Sequence, residues 1–171
     1  MADEAGGHIH GEHPFLPGED DRDPTRRLRG RLTAAVTLWT SQDADERAGL
    51  TVASVVMAEP GLLAGVIGQL SDLADVLPAS GAFVVHLLEW RHRQLADVFA
   101  FQTPSPGGPF AAGQWRESAW GPVLDGAENW AGCRVRGTRP FGYGLLVEAE
   151  VEHAEAGDLE RGLLWHRGHY V

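Results

Sequence analysis

The chain has no lysine. All 14 basic residues are arginine and 24 carboxylates outnumber them, leaving a formal charge of −10 over 171 residues. A phosphate backbone is held by clustered cations that displace its counterions, so this balance argues against nucleic acid as a partner. Cysteine is nearly missing too. Cys133 stands alone, which excludes an intramolecular disulfide and a metal site built on several thiolates. Long apolar runs are also lacking. The most apolar region, 49–69, is interrupted by Glu59 and Pro60, so neither part reaches the ~20 continuous apolar residues that a spanning helix needs. Met1-Ala2-Asp3-Glu4 is acidic, without the basic start and apolar stretch of a secretory leader. A cytoplasmic protein with no membrane partner is expected.

What is present suffices for one domain, since a chain of this length can remove roughly 70% of its unfolded surface from water. Residues 1–23 carry seven carboxylates (Asp3, Glu4, Glu12, Glu19, Asp20, Asp21, Asp23) against one arginine. A disordered or arm-like acidic segment is therefore expected there, ahead of a folded domain over 24–171. His8, His10 and His13 form an H-x-H-x-x-H cluster in that segment. The spacing is loose, which suits adventitious metal binding rather than a resident ion.

Asp23-Pro24 reads as a helix N-cap followed by proline at the first helical position, opening a short helix that Gly30 ends. From Leu32 to Thr40, Val36 and Leu38 alternate with Thr37 and Trp39, the period of a half-buried strand. Ser41 to Gly49 reads as a polar turn. Leu50–Met57 and Leu62–Ile67 read as adjacent strands separated by Glu59-Pro60-Gly61. Ser71 caps a helix that Pro78 stops. Phe83–Leu88 is a strand, Arg91–Phe99 a helix and Gln102–Pro109 a loop. Val123-Leu124, Ala131–Val135 and Leu145–Val151 read as strands, and Leu163–Tyr170 as a terminal strand or hairpin. About six or seven strands with two or three short helices make a mainly β barrel with helical decoration.

The order of segments carries more than any one of them. Gly49-Leu50-Thr51 runs into the small-residue strand Val52-Ala53-Ser54, and Glu59-Pro60 follows. A second strand, the Ser71-led helix, Gly81-Ala82-Phe83-Val84-Val85-His86-Leu87 and a short helix ending Phe99-Ala100 come next, with Trp120-Gly121-Pro122, Cys133-Arg134-Val135 and Glu148-Ala149-Glu150-Val151 beyond. Together they resemble the flavin reductase-like, FMN-binding split-barrel family over roughly residues 30–171. The resemblance implies a split β-barrel and NAD(P)H-dependent reduction of FMN, with FAD or riboflavin as alternatives and NADH or NADPH as hydride donor. It also implies a homodimer with flavin near the subunit interface, and a flavin-dependent monooxygenase as a partner for the reduced flavin.

Matching positions give Thr51, Val52, Ala53 and Ser54 as flavin contacts, the alternative being small residues packed in a crowded barrel. Ser71 is the phosphate contact at a helix N-terminus, where N–H groups and the helix dipole attract anions. Asp72 stands where the family has a hydroxyl or cation, and it opposes that attraction. Arg91 and Arg93 are further candidates for phosphate, against a solvated helix face. Gly144 replaces a family histidine near the nicotinamide site, so the catalytic residues stay unassigned. His86 reads as hydrogen-bonded and structural, Cys133 as a small buried hydrophobe, and Trp165 or Tyr170 as core or as a stacking partner for flavin. Two rival readings remain, a flavin-binding carrier without turnover and a barrel that has lost flavin.

Overall fold

The computed structural model describes residues 23–171; the acidic segment up to Arg22 and its histidine cluster lie outside the described residues. In chain order the elements are α1 (Pro24–Arg31), β1 (Ala34–Ala35), β2 (Thr37–Asp43), β3 (Glu46–Val52), β4 (Val55–Ala58), β5 (Leu62–Gly68), α2 (Asp72–Ser80) and β6 (Ala82–Leu87). A 3₁₀ turn at Trp90–His92 leads into α3 (Arg93–Phe99). Then come β7 (Trp115–Arg116), β8 (Val123–Leu124), the long hairpin β9 (Asn129–Phe141) and β10 (Gly144–Ala156), and the terminal β11 (Leu164–His166) and β12 (His169–Tyr170).

The main sheet has seven antiparallel strands in the order β3-β2-β6-β9-β10-β5-β4. Its two edges, β3 and β4, are consecutive in the chain and separated by Ala53 and Ser54 alone. Val52 and Val55 are three Cα steps apart, at most about 11 Å, so the sheet must curl until its edges meet at that corner. This is the split-barrel arrangement. Trp39 fills the interior: its ring stacks on Phe83 at 4.5 Å and lies so close to Gly65 on β5 that a Cβ there would sit 2.7 Å from it. Leu73, Val76 and Leu77 of α2 join the same cluster. The other face of β2 is covered as well, because Val36 and Leu38 pack with Ala96 and Phe99 of α3 and with Leu163.

Several boundaries differ from the sequence reading. The strand at Thr37–Asp43 is buried on both faces rather than half-buried. Thr37 is tolerated inside because its hydroxyl donates to Val52 O at 2.7 Å and accepts from the Trp39 indole at 3.1 Å, which removes the penalty for burying it. Ser41–Gly49 is no open turn: β2 and β3 continue through it to a tight reversal at Ala44-Asp45. The expected strand over Leu50–Met57 breaks at Ala53-Ser54. Helix α1 runs through Gly30 to Arg31. Pro78 lies inside α2, which ends at Gly81 in the left-handed conformation, its N–H donating to Leu77 O, as helix ends favour.

Candidate functional site

The corner between the sheet edges is the first part of the site. The β2–β3 ladder ends with Val52 opposite Thr37, and the β4–β5 ladder begins with Val55 opposite Gly65. Ala53 and Ser54 belong to neither, and no backbone hydrogen bond joins their peptide groups to another described residue. Ala53 is half-buried and Ser54 exposed; the Ser54 carbonyl is turned toward Gly65, where a Cβ would sit 3.2 Å from it, and the remaining groups are available to an outside partner. The corner is nonetheless fixed. The Ser54 hydroxyl donates to Val66 O at 2.8 Å and accepts from Val66 N at 3.1 Å. Two residues before Ala53, Thr51 Oγ1 donates to Ala96 O of α3 at 2.7 Å.

Three of the four expected contacts thus have side chains already engaged by the fold, Ser54 with Val66 among them. Thr51 ties β3 to α3, and Val52 is buried in the core. Ala53 and Ser54 alone offer small side chains beside open backbone.

A second group gathers around the end of β5. Ser71 Oγ accepts from Ala74 N at 3.3 Å and donates to Gly68 O at 2.8 Å, fixing the start of α2. No backbone acceptor among the described residues takes the Asp72 or Leu73 N–H, which leaves the positive end of the helix available. Asp72 and Asp75 in the first turn set two carboxylates against it. Gly68 lies opposite Gly144, whose carbonyl accepts from Gln69 Nε2 at 2.9 Å. A Cβ at Gly144 would sit 2.5 Å from Val66 Cγ1 and 3.1 Å from Ile67 O, so no larger residue fits unless Val66 moves. The corner, the Ser71 turn and the β9–β10 hairpin tip therefore converge on Val66–Gly68. Val66, Gly68 and Gln69 escaped the sequence reading, where the only trace of them is a Gly-Gln pair closing an apolar strand.

Arg91 and Arg93 are placed elsewhere, at the start of α3. Arg91 donates to Glu89 Oε1 at 2.8 Å, and that carboxylate raises its pKa further. Arg93 donates to Trp90 O at 3.2 Å and lies 5.3 Å from the Trp90 ring centre, while Arg161 lies 3.9 Å from it. Trp90 thus has two guanidinium neighbours. Both expected phosphate ligands help to hold this turn, and α3 is tied to β3 by the Thr51–Ala96 bond and by Phe99 packing on Gly49.

The histidines are structural where their partners are defined. His86 is fully buried; its Nε2 accepts from Leu124 N at 3.0 Å, so Nδ1 carries the proton and donates to Leu38 O at 3.0 Å. Burial lowers its pKa to about 4. His92 Nδ1 accepts from Glu89 N at 3.1 Å, and partial burial lowers its pKa. His166 bonds Thr33 at 2.7 Å. Burial pushes the Cys133 thiol up to about 12, which makes it inert. Among the described residues no three potential metal ligands cluster, and no helix is long and apolar enough to cross a membrane.

A curled antiparallel sheet with an open-backbone corner and a capped helix beside it is an arrangement suited to a flat aromatic ring carrying a phosphate. The chain belongs to the flavin reductase-like domain family, whose model matches residues 29–171. It is 34% identical over 152 residues to an FMN reductase (NADH) RutF of Ancylobacter novellus, covering 87% of this chain and 83% of that protein. Among solved structures, nitrilotriacetate monooxygenase component B from Mycobacterium thermoresistibile superposes with a TM-score of 0.76 at 26% identity, covering 86% of this chain and 83% of that one. The NADH:FAD oxidoreductase SgcE6 of Streptomyces globisporus C-1027 gives 0.77 at 25% identity, covering 91% and 95%.

Proposed function

We propose that this protein is an NADH-dependent flavin reductase that uses FMN and works as a cytoplasmic homodimer supplying reduced flavin to a partner monooxygenase. The observation that carries the reading is the corner at Ala53-Ser54, where two peptide units leave both ladders with only small side chains beside them. Membership of the family, and relatives named as NADH-dependent reductases, support the reaction and the choice of nicotinamide. Component B of a monooxygenase among the structural neighbours supports the kind of partner.

The residues present fit an isoalloxazine. The Ala53 and Ser54 peptide groups supply hydrogen-bond partners for its pyrimidine edge, and Ser54 is held in place by Val66. Ser71 and the free N–H groups of Asp72 and Leu73 form the phosphate end, weakened by the Asp72 carboxylate. Thr51 and Val52 act through position, keeping β3 against α3 and the core. Arg91 and Arg93, held by Glu89 and Trp90 at the start of α3, are the lesser candidates for the phosphate. When bound, flavin supplies the redox chemistry, accepting hydride at N5 from nicotinamide. The chain's own part would be to orient the ring and hold its phosphate. Gly144 keeps the hairpin tip free of side chain beside this position.

With FMN in excess, the purified protein should oxidise NADH many times faster than the free mixture. A rate equal to the mixture rejects the reductase reading. Gly144, which leaves no space for a histidine, favours one alternative, a carrier that binds flavin without turnover. Quenching of FMN fluorescence without NADH oxidation would select it.

A further inference from the structure

Helix α1 has nothing packed beneath it. None of its residues is buried. Leu28 is 64% and Leu32, the residue capping its end, 65% exposed. Eight residues is well below the ~12–15 at which an isolated helix sustains itself in water. Leu28 and Leu32 are four apart and share a face, ringed by Arg26, Arg27, Arg29 and Arg31, and no carboxylate occurs from Pro24 to Gln42. In a chain of charge −10 this is a sharply local basic and apolar surface. Arg167 N donating to Gly30 O at 3.2 Å and the Thr33–His166 bond anchor only its C-terminal end.

The opposite kind of surface lies on β4. Successive strand residues point to opposite faces, yet Val56 and Met57 are 63% and 57% exposed, so this edge strand shows an exposed apolar side chain on each face, with Val55 alone packed on the core. Natural sheets cover such an edge. On the outer face a groove of about 570 Å³ is floored by Val56, Ala58, Leu62 and Ala64 and walled by Glu148 and Glu150. Glu150 is paired with Arg136 at 2.8 Å, whereas Glu148 has no cation within ion-pair distance among the described residues. Arg136 lines the same wall, so Glu148 is its one unpaired charge among the described residues; an apolar floor beside that carboxylate matches a helix presenting two leucines among arginines, the helix-in-groove mode of recognition.

We propose that α1 of one copy seats in the β4–β5–β10 groove of a second copy, Leu28 and Leu32 on the apolar floor and the flanking arginines toward Glu148. In a two-fold dimer the contact is made twice. It also places the second copy beside β4, directly after the Ala53-Ser54 corner. This assignment rests on the homodimer reading and names its surfaces.

Sedimentation velocity tests both and tells them apart. Wild type should sediment as a dimer, and Leu28→Ser/Leu32→Ser should raise the dimer dissociation constant by about tenfold or more, as loss of central apolar anchors does. Glu148→Arg should weaken the dimer, and adding Arg27→Glu should restore it. Separately, Leu28→Cys/Leu62→Cys should give a covalent dimer with oxidised glutathione, with buried Cys133 silent and each single variant much slower. A double-serine variant as dimeric as wild type, or no cross-link in a chain that is dimeric, overturns the α1 assignment and leaves the homodimer standing. A wild type that is monomeric at all concentrations overturns both.

Discussion

Lowering the pH from 7.5 to 4 puts a proton on unfolded histidine but not readily on His86. In the folded chain its Nδ1–H is committed to Leu38 O and its Nε2 lone pair to Leu124 N. Burial is the main reason its pKa falls from 6.5 to about 4, the backbone bond to Leu38 opposes the fall, and the charges of His92 and Arg116 add to it. Protonating Nε2 would turn an acceptor into a donor facing another N–H. Between pH 6.5 and 4 the folded chain therefore holds fewer protons at this site than the unfolded chain. Stability is full above the unfolded pKa, declines as pH falls through 6.5 and levels off below 4. At 1.36 kcal/mol per pKa unit the loss is roughly 3 kcal/mol, a large share of the 5–15 kcal/mol typical of a domain. Carboxylates titrate in the same window, so the test compares wild type with His86→Gln in urea melts at each pH, where those contributions cancel. The variant should be less stable at pH 7.5, and the gap should shrink by roughly 3 kcal/mol by pH 4. A gap that stays constant across this range refutes the reasoning.

Other substitutions probe the packing and the site. Gly132 lies flat beneath the Trp120 ring, with no room for a Cβ; Gly132→Ala should cost about 1–3 kcal/mol in chemical denaturation and alter tryptophan emission as Trp120 is displaced. Asp72→Ser removes a carboxylate from the first turn of α2 and should tighten FMN by about two- to fivefold while leaving riboflavin unchanged in fluorescence titrations; equal gains for both ligands would show that Asp72 does not face the phosphate. Gly144→His should lower the melting temperature because of Val66, and adding Val66→Ala should recover part of that loss in calorimetry.

Local signals in the sequence marked the elements whose chemistry is local. Asp23-Pro24 and Ser71 start helices where caps belong, and the apolar run at 82–87 is a strand. Hydrophobic period could not show that polar residues continue a strand. Gln42 and Arg47 sit opposite each other across β2 and β3 and share a hydrogen bond of 2.9 Å, so a segment that reads as loop is a hairpin. In the same way Arg134 and Arg136 pair with Glu152 and Glu150 across β9 and β10, two strands that run well past their apolar stretches, to Phe141 and Ala156. Of the site, resemblance supplied the corner and the helix cap. Which side chains there are already spent on the fold could not be read: Thr51 finds its acceptor 45 positions away at Ala96, a partnership that the docking of α3 on β2 and β3 creates. The Arg91–Glu89 pair is closer at hand, two residues apart, but a guanidinium near a helix start reads equally well as a phosphate ligand.

The central claim is that flavin is held against the open peptide groups at Ala53-Ser54, and titration of FMN fluorescence with wild type and Ala53→Leu tests it most directly. Wild type should quench the flavin saturably. The leucine variant, with an unchanged melting temperature, should quench it at least tenfold more weakly, because its side chain would occupy the ring's place. Equal affinity in the two proteins would contradict the account.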